Sequence, residues 1–321
     1  MSTSNTKPVA LVVGASRGIG RQVAIDLAKA GYHVIVSAKS TTPLSSLTTL
    51  TPFPPDPNSP QSTITTVALE ISQLGLSATA IPVDTTSQTS IENLIHETIS
   101  LFHRLDVLIY NTGAIHWGPL STTPLKKFLL LQSVNPTGLY TTLHFSLPHL
   151  KSSPLGGRII VVCPPIYSRF FRGKTAYAMG KVGMSVLVKG LAMDFDREAL
   201  PLPGKDRTKG MAITGIWPAV AIESAATEQF TRRDEGYKRD LRKPTIFSDA
   251  ILAMLDAPAE RVNGELLLDE DFLREETGVT DFGKYSLVPG ASPKRIMPEA
   301  FPDLRVKEQD DEGMRIDSSK L

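Results

Sequence analysis

The stretch Val9-Ala10-Leu11-Val12-Val13-Gly14-Ala15-Ser16-Arg17-Gly18-Ile19-Gly20 decides how the rest of the chain is read. Its five apolar residues, bounded by a glycine, have the length of a buried strand. Ile19, Val23 and Leu27 then recur at helical spacing until Gly31 breaks the pattern. A glycine turn between strand and helix lets the backbone approach an anion closely. The helix start offers that anion unpaired N–H groups and the positive end of a dipole. Gly14, Ser16, Arg17, Gly18, Ile19 and Gly20 are therefore candidate ligands for a dinucleotide pyrophosphate. The spacing is Gly-x-x-x-Gly-x-Gly rather than the commoner Gly-x-Gly-x-x-Gly. A ligand-free helix entry also uses glycines; the position at the first strand–helix junction is what favours the dinucleotide.

Outward from this junction the alternation continues. Strand-like runs at His33–Ala38, Ile81–Val83, Val107–Tyr110, Arg158–Cys163, Ala212–Trp217 and Glu265–Leu268 are interleaved with helical windows. Those windows are Thr63–Leu74, Ile91–Phe102, Leu125–Leu150, Ala176–Glu198 and Ser248–Leu255. Strands separated by helices predict crossover connections and a doubly wound parallel sheet, a three-layer α/β/α Rossmann fold. Residues 1–282 read as one domain. Within it, Ser40–Ser62 holds Pro43, Pro52, Pro54, Pro55, Pro57 and Pro60 and reads as a long surface loop. Residues 283–321 read as an extended tail, the alternative being a linker to a further module.

Composition narrows the class. Lys plus Arg (34) nearly cancels Asp plus Glu (33), so no basic face for nucleic acid is expected. The single cysteine, Cys163, allows no intramolecular disulfide. No metal site, signal-peptide core or membrane span is expected, which points to a soluble intracellular protein. The chain ends Ser319-Lys320-Leu321, which reads as a peroxisomal address for an import receptor, against the alternative of a chance tail.

After the second strand, Ser37-Ala38-Lys39-Ser40 offers no carboxylate for a ribose 2′-hydroxyl. Lys39, with Arg17, suits a 2′-phosphate instead, which favours NADP(H); two ordinary surface cations are the alternative. Further on, Tyr177-Ala178-Met179-Gly180-Lys181 places Tyr177 and Lys181 on one helix face, a turn apart. An ammonium so placed is expected to lower the phenol's pKa and fit it for proton transfer near neutral pH.

On these motifs the sequence resembles the short-chain dehydrogenase/reductase family over about residues 7 to 270. The carrying segments are VVGASRGIG (12–20), HVIVSAKS (33–40), VLIYNTGA (107–114), VNPTGLY (134–140), IIVVCPP (159–165), AYAMGKVGMSVLVKGLA (176–192) and IWPAVAIESAA (216–226). A further segment, LLLDEDFLREETGVTDFGKY (266–285), points to one branch, whose members can carry a sterol-carrier domain after it. The residues remaining here are expected to be too few to hold one. The resemblance implies Tyr177 as general acid/base and Lys181 as its electrostatic partner and ribose ligand. It implies Asp84 at the adenine edge, Asn111 and Gly113 beside the adenine ribose, and Asn135 as the helix residue whose backbone carbonyl anchors a relay water. Tyr110 stands where the family has a first Asn. Pro136 supports the role of Asn135, because proline cannot donate an N–H and must bend the helix there.

Two departures stand out. The family places a serine thirteen residues before the tyrosine to orient the substrate carbonyl, whereas this chain has Pro164, flanked by Cys163 and Pro165. No strong donor is present there, and Ser168 would serve only if its loop folds back. The second departure, Trp217-Pro218-Ala219 in place of a common Pro-Gly, is minor.

The substrate wall is expected from His116–Gly118, Pro165–Phe171 and Ile222–Lys243, with Trp117, Tyr167, Phe170 and Phe171 making an apolar pocket. Core or dimer contacts are the alternative for those aromatics. Lys174, Arg169 and Arg172 could meet an acyl or CoA phosphate, or simply be solvated. The expected activity is carbonyl/alcohol interconversion on a lipid-, acyl- or polyketide-like substrate. A non-catalytic nucleotide or lipid binder and an enoyl-CoA-type reductase remain open. The windows Leu125–Leu150 and Ala176–Glu198 could build a homodimer or homotetramer.

Overall fold

The computed structural model describes residues 7–198 and 210–301, with only the backbone of Ser168 and Arg169. The expected address Ser319-Lys320-Leu321 lies outside the described residues. Seven strands form one parallel sheet in the order β3-β2-β1-β4-β5-β6-β7. They are β1 (Val9–Val13), β2 (His33–Ser37), β3 (Ala78–Ala80), β4 (Val107–Tyr110), β5 (Arg158–Val162), β6 (Ala212–Trp217) and β7 (Leu266–Leu268). The helices are α1 (Gly18–Lys29), α2 (Leu44–Leu47), α3 (Ile64–Gln73), α4 (Gln88–Phe102), α5 (Leu125–Gln132), α6 (Gly138–Lys151), α7 (Thr175–Glu198), α8 (Ala225–Thr231), α9 (Thr245–Asp256), α10 (Ala259–Val262) and α11 (Asp269–Thr277). None in the described residues is long and apolar enough to cross a membrane.

Period-two alternation along the strands divides the core in two. Ala10 and Val12 face a cluster with Val23 and Leu27 of α1, Ile64 and Val67 of α3, and Phe247 and Met254 of α9. Val9, Leu11 and Val13 face the opposite cluster, with Ile91 of α4, Leu139 of α6 and Met184 of α7. Both faces are therefore covered, which is why the strands read as continuous apolar runs. Strand order reverses beside β1, whose Val13 pairs with Ser37 on one side and Tyr110 on the other. A ligand crevice belongs at the carboxyl ends of the strands at such a switch point.

Two expectations are corrected and one is refined. Regular pairing of the third strand lies at Ala78–Ala80 rather than at Ile81–Val83. Pro82 has no N–H to give, so the ladder continues only through Ile81 N–H to the Val36 carbonyl (3.2 Å) and Val83 N–H to the Ala38 carbonyl (3.1 Å). The Pro-rich stretch 40–62 lies largely at the surface, as expected, but contains the short α2 and is docked at two points. The Pro57 carbonyl accepts from Gly18 N–H at 2.8 Å, and the Ser62 hydroxyl donates to the Ser16 carbonyl at 2.7 Å. Finally, the chain beyond Phe282 packs back on the domain through Phe301, burying Tyr285, Ser286 and Met297. Arg242 holds that return: it pairs with Glu270 at 2.6 Å and donates to the Phe282 carbonyl and the Ser286 hydroxyl, both at 2.9 Å.

Candidate active site

Main-chain geometry builds the cleft at the switch point. Gly14 has φ +92°, and a Cβ there would lie 2.6 Å from the Thr112 nitrogen. Only glycine therefore lets the turns after β1 and β4 pass each other. Asn111 fastens the same two turns, donating from Nδ2 to the Gly14 carbonyl at 2.9 Å. Gly20 lets α1 sit directly on the turn, since a side chain there would overlap the Gly14 carbonyl. Arg17, at the N-cap of α1, makes no side-chain capping bond. With Gly14, Ser16, Gly18, Ile19 and Lys39 it lines a cavity of about 1090 Å³.

Lys39 does not stand alone. Its Nζ lies 2.6 Å from Asp84 Oδ2, and the hydrogen bonds from Lys39 and Thr86 hold the Asp84 carboxyl at about 2. The two residues assigned separately to phosphate and adenine thus form one ion pair at the rim.

Tyr177 and Lys181 lie one turn apart on α7, both buried, and both reach the cavity. Lys181 Nζ donates to the Val162 carbonyl at the end of β5, at 2.8 Å. Burial lowers this ammonium to about 8, close enough to neutrality for it to exchange a proton. The expected lowering of the Tyr177 phenol is not found in this state. Burial pushes its pKa up, and the lysine is turned to a main-chain acceptor instead. Gly113 makes room for both polar groups, since a Cβ there would lie 3.1 Å from Lys181 Nζ and 3.3 Å from Asn135 Oδ1.

Pro136 sits inside a five-residue π turn, Ser133–Thr137, where a bend was expected. Asn135 is fully buried in it and clamps the loop after β4 with its side chain. Oδ1 accepts from Ala114 N–H at 2.9 Å, and Nδ2 donates to the Ala114 carbonyl at 3.1 Å. No sequence signal foretold this side-chain clamp.

At the missing serine, the Pro164 carbonyl accepts from the Ser185 hydroxyl of α7 at 2.7 Å. Cys163 is fully buried, and burial pushes its thiol up to about 12, so it offers no nucleophile to the cleft. The side chain of Ser168 lies outside the described residues.

The far end of the cavity is aromatic. Trp117 stacks on Phe230 of α8, with ring centres 5.5 Å apart. Phe170 meets Tyr177 at 5.9 Å and Trp217 edge-on at 5.6 Å. Trp117, Tyr167 and Phe170 line the cavity as expected, together with Ile222, Phe230 and Tyr237 from the anticipated lid span. His116 and Phe171 are not on its wall. The sequence reading missed a fourth wall, Arg295–Pro298. Ile296 and Met297 N–H groups donate to the Ala219 carbonyl, and Arg295 forms a two-pronged pair with Asp271 at 2.7 and 2.9 Å. The apolar pair Ile296-Met297 in a polar stretch was the available signal.

The switch-point cleft is thus a glycine-cradled crevice opening on a buried Tyr–Lys pair. The family model described as short chain dehydrogenase matches residues 8–51 and 58–200, breaking inside the Pro-rich stretch. The chain belongs to that family. It is similar to hydroxysteroid dehydrogenase-like protein 2 of Danio rerio, 31% identical over 294 residues, covering 91% of this chain and 63% of the relative. The same-named Mus musculus protein is 30% identical over 318 residues, covering 97% of this chain and 58% of the relative. The chain thus spans less than two thirds of the length of these relatives. Among solved structures, a putative dehydrogenase from Xanthomonas campestris superposes with TM-score 0.73 at 27% identity, covering 94% of this chain and 98% of its own. A short chain dehydrogenase from Mycobacterium thermoresistibile gives TM-score 0.73 at 29% identity, covering 90% and 93%. The family implies a nicotinamide dinucleotide, and the cradle at Gly14, the anion-ready α1 terminus and the long cavity fit one.

Proposed function

We propose that this protein is an NADP(H)-dependent reductase or dehydrogenase that interconverts a carbonyl and an alcohol on an apolar, lipid- or acyl-like substrate. The observation that carries the reading is the shared cavity: Tyr177 and Lys181 face the same space as the glycine turn and the aromatic wall. When bound, the cofactor would supply or accept the hydride. Gly14, Ser16, Arg17, Gly18 and Ile19 would hold its pyrophosphate, Lys181 its ribose, and Asn111 and Gly113 the adenine-side loop. Tyr177 passes the proton to or from the substrate oxygen, its buried ring held against Phe170. Lys181, lowered to about 8, can return a proton to the site at neutral pH.

The phosphate preference rests on Arg17 and Lys39, with no carboxylate in Ser37–Ser40 to favour NAD. A 2′-phosphate would have to compete with Asp84 for Lys39, so Arg17 would carry more of the preference. Fluorescence titration with NADPH and NADH tests this on the wild type and Lys39→Glu. Tighter NADPH binding, selectively lost in the variant, supports the reading; equal binding of both nucleotides overturns it. Loss of turnover in Tyr177→Phe with nucleotide binding retained tests the chemical role.

Ser319-Lys320-Leu321 supports a peroxisomal location; a fluorescent fusion that stays outside peroxisomes, with and without Leu321, would contradict it. An exposed apolar stripe on α7, Met179, Val186 and Met193, supports a homodimer or homotetramer.

A further inference from the structure

The cavity wall carries an unbalanced charge. Among the described residues it includes Arg17, Lys39, Lys174, Lys181 and Arg295, and no Asp or Glu. Three of these cations are already answered: Lys39 by Asp84, Lys181 by the Val162 carbonyl and Arg295 by Asp271. Arg17 stands at the glycine turn, where a nucleotide phosphate accounts for it.

Lys174 is left over. It immediately precedes α7, three residues before Tyr177, and its Nζ lies 4.4 Å from the centre of Phe170 and 5.6 Å from that of Trp117. Among the described residues its Nζ has neither a hydrogen-bond acceptor nor a carboxylate partner. The two ring faces return part of the hydration it loses, but they cannot accept its protons as an anion does. Partial burial accordingly lowers its pKa, the mark of a cation short of a counter-charge. Phe170 touches both this ammonium and the Tyr177 ring, so a molecule presenting its carbonyl to Tyr177 passes within reach of Lys174.

We infer that Lys174 binds the negatively charged head group, carboxylate or phosphate, of an otherwise apolar substrate whose body lies along Trp117, Phe170, Phe230 and Met297. This rests on the cleft being the substrate site of the proposed oxidoreductase, and it narrows the substrate from an apolar carbonyl compound to an apolar anion. Steering of an anion into a cleft of one sign adds a salt-dependent approach rate.

Both tryptophans of the chain, Trp117 and Trp217, line the cavity, so intrinsic fluorescence reads binding without turnover. Decanoate, decyl phosphate and methyl decanoate are titrated into the full-length wild type, Lys174→Gln and Lys174→Arg. At least one anion should bind the wild type about tenfold more tightly than the neutral ester, a ratio that falls to about twofold or less in Lys174→Gln and persists in Lys174→Arg. Whichever anion binds more tightly identifies carboxylate or phosphate as the natural head. Equal binding of anions and ester, no binding of either anion, or an undiminished preference in Lys174→Gln overturns the inference. NADPH titration of the same samples keeps the two readings apart: loss of nucleotide binding would remove the oxidoreductase proposal while leaving an anion preference at Lys174 intact.

Discussion

The Tyr110 hydroxyl donates to the Val134 carbonyl at 2.8 Å, tying the end of β4 to the π turn that carries Asn135. Tyr110 is fully buried, and Gly138 gives its hydroxyl room, since a Cβ there would come within 2.5 Å of it. The residue that departs from the family's Asn thus holds the segment on which Asn135 is displayed. Tyr110→Phe removes this bond between β4 and the π turn and should cost about 0.5–1.5 kcal/mol in urea denaturation. The turnover number should fall more than the Michaelis constant rises, because the clamp on Ala114 shifts while the aromatic wall does not. An unchanged turnover number would show that Asn135 is held without Tyr110.

Asp269 predicts a pH dependence of stability. It is fully buried and accepts from Ala219 and Glu270 N–H at 2.8 Å each, while its Oδ2 has no partner. Burial raises its carboxyl to about 7. The folded state therefore holds a proton that the unfolded chain releases near pH 4, and stability falls as pH rises through this window to about 7. Asp269→Asn keeps an acceptor for both amides and removes the titration. Its stability relative to wild type should grow by up to a few kcal/mol between about pH 4 and pH 7 and then level off. Parallel denaturation curves at every pH would rule this out.

The Arg295–Asp271 pair is partly exposed, so breaking it costs little stability, under about 1 kcal/mol. It nevertheless fixes the wall made by Ile296 and Met297. Asp271→Asn should raise the Michaelis constant for an apolar substrate severalfold while leaving nucleotide affinity untouched. A change in nucleotide affinity of equal size would mean that the pair supports the whole cleft.

The stripe on α7 offers a fourth check. Met179, Val186 and Met193, spaced by seven, are 54%, 58% and 56% exposed. Val186→Glu should convert the proposed oligomer into a monomer in sedimentation analysis. A wild type that already sediments as a monomer would remove the proposal.

The sheet was legible because its five inner strands are buried on both faces, so periodicity and glycine punctuation carry their signal, whereas the half-buried edge strand β3 was misplaced. Gly14, Tyr177 and Lys181 were legible because backbone clearance and helical spacing depend on nearby residues. What could not be read were contacts between segments distant in sequence. Lys39 meets Asp84 only because β2 and β3 are neighbours. Pro57 reaches Gly18 by a fold of the Pro-rich stretch that no periodicity encodes. Lys181 turns to Val162 through packing, which is why an inference from helical spacing misjudged the phenol.

The wall at Arg295–Pro298 carries one last consequence. It hangs from Ala219 and Asp271 by a few bonds, and no strand of the sheet passes through it. Molecular preference is therefore partly detachable from chemistry: exchanging these four residues for a longer or bulkier run would change which guest is admitted, while Tyr177 and Lys181 kept their places. Selectivity here is tailored at the hem of the protein, where alteration is cheapest.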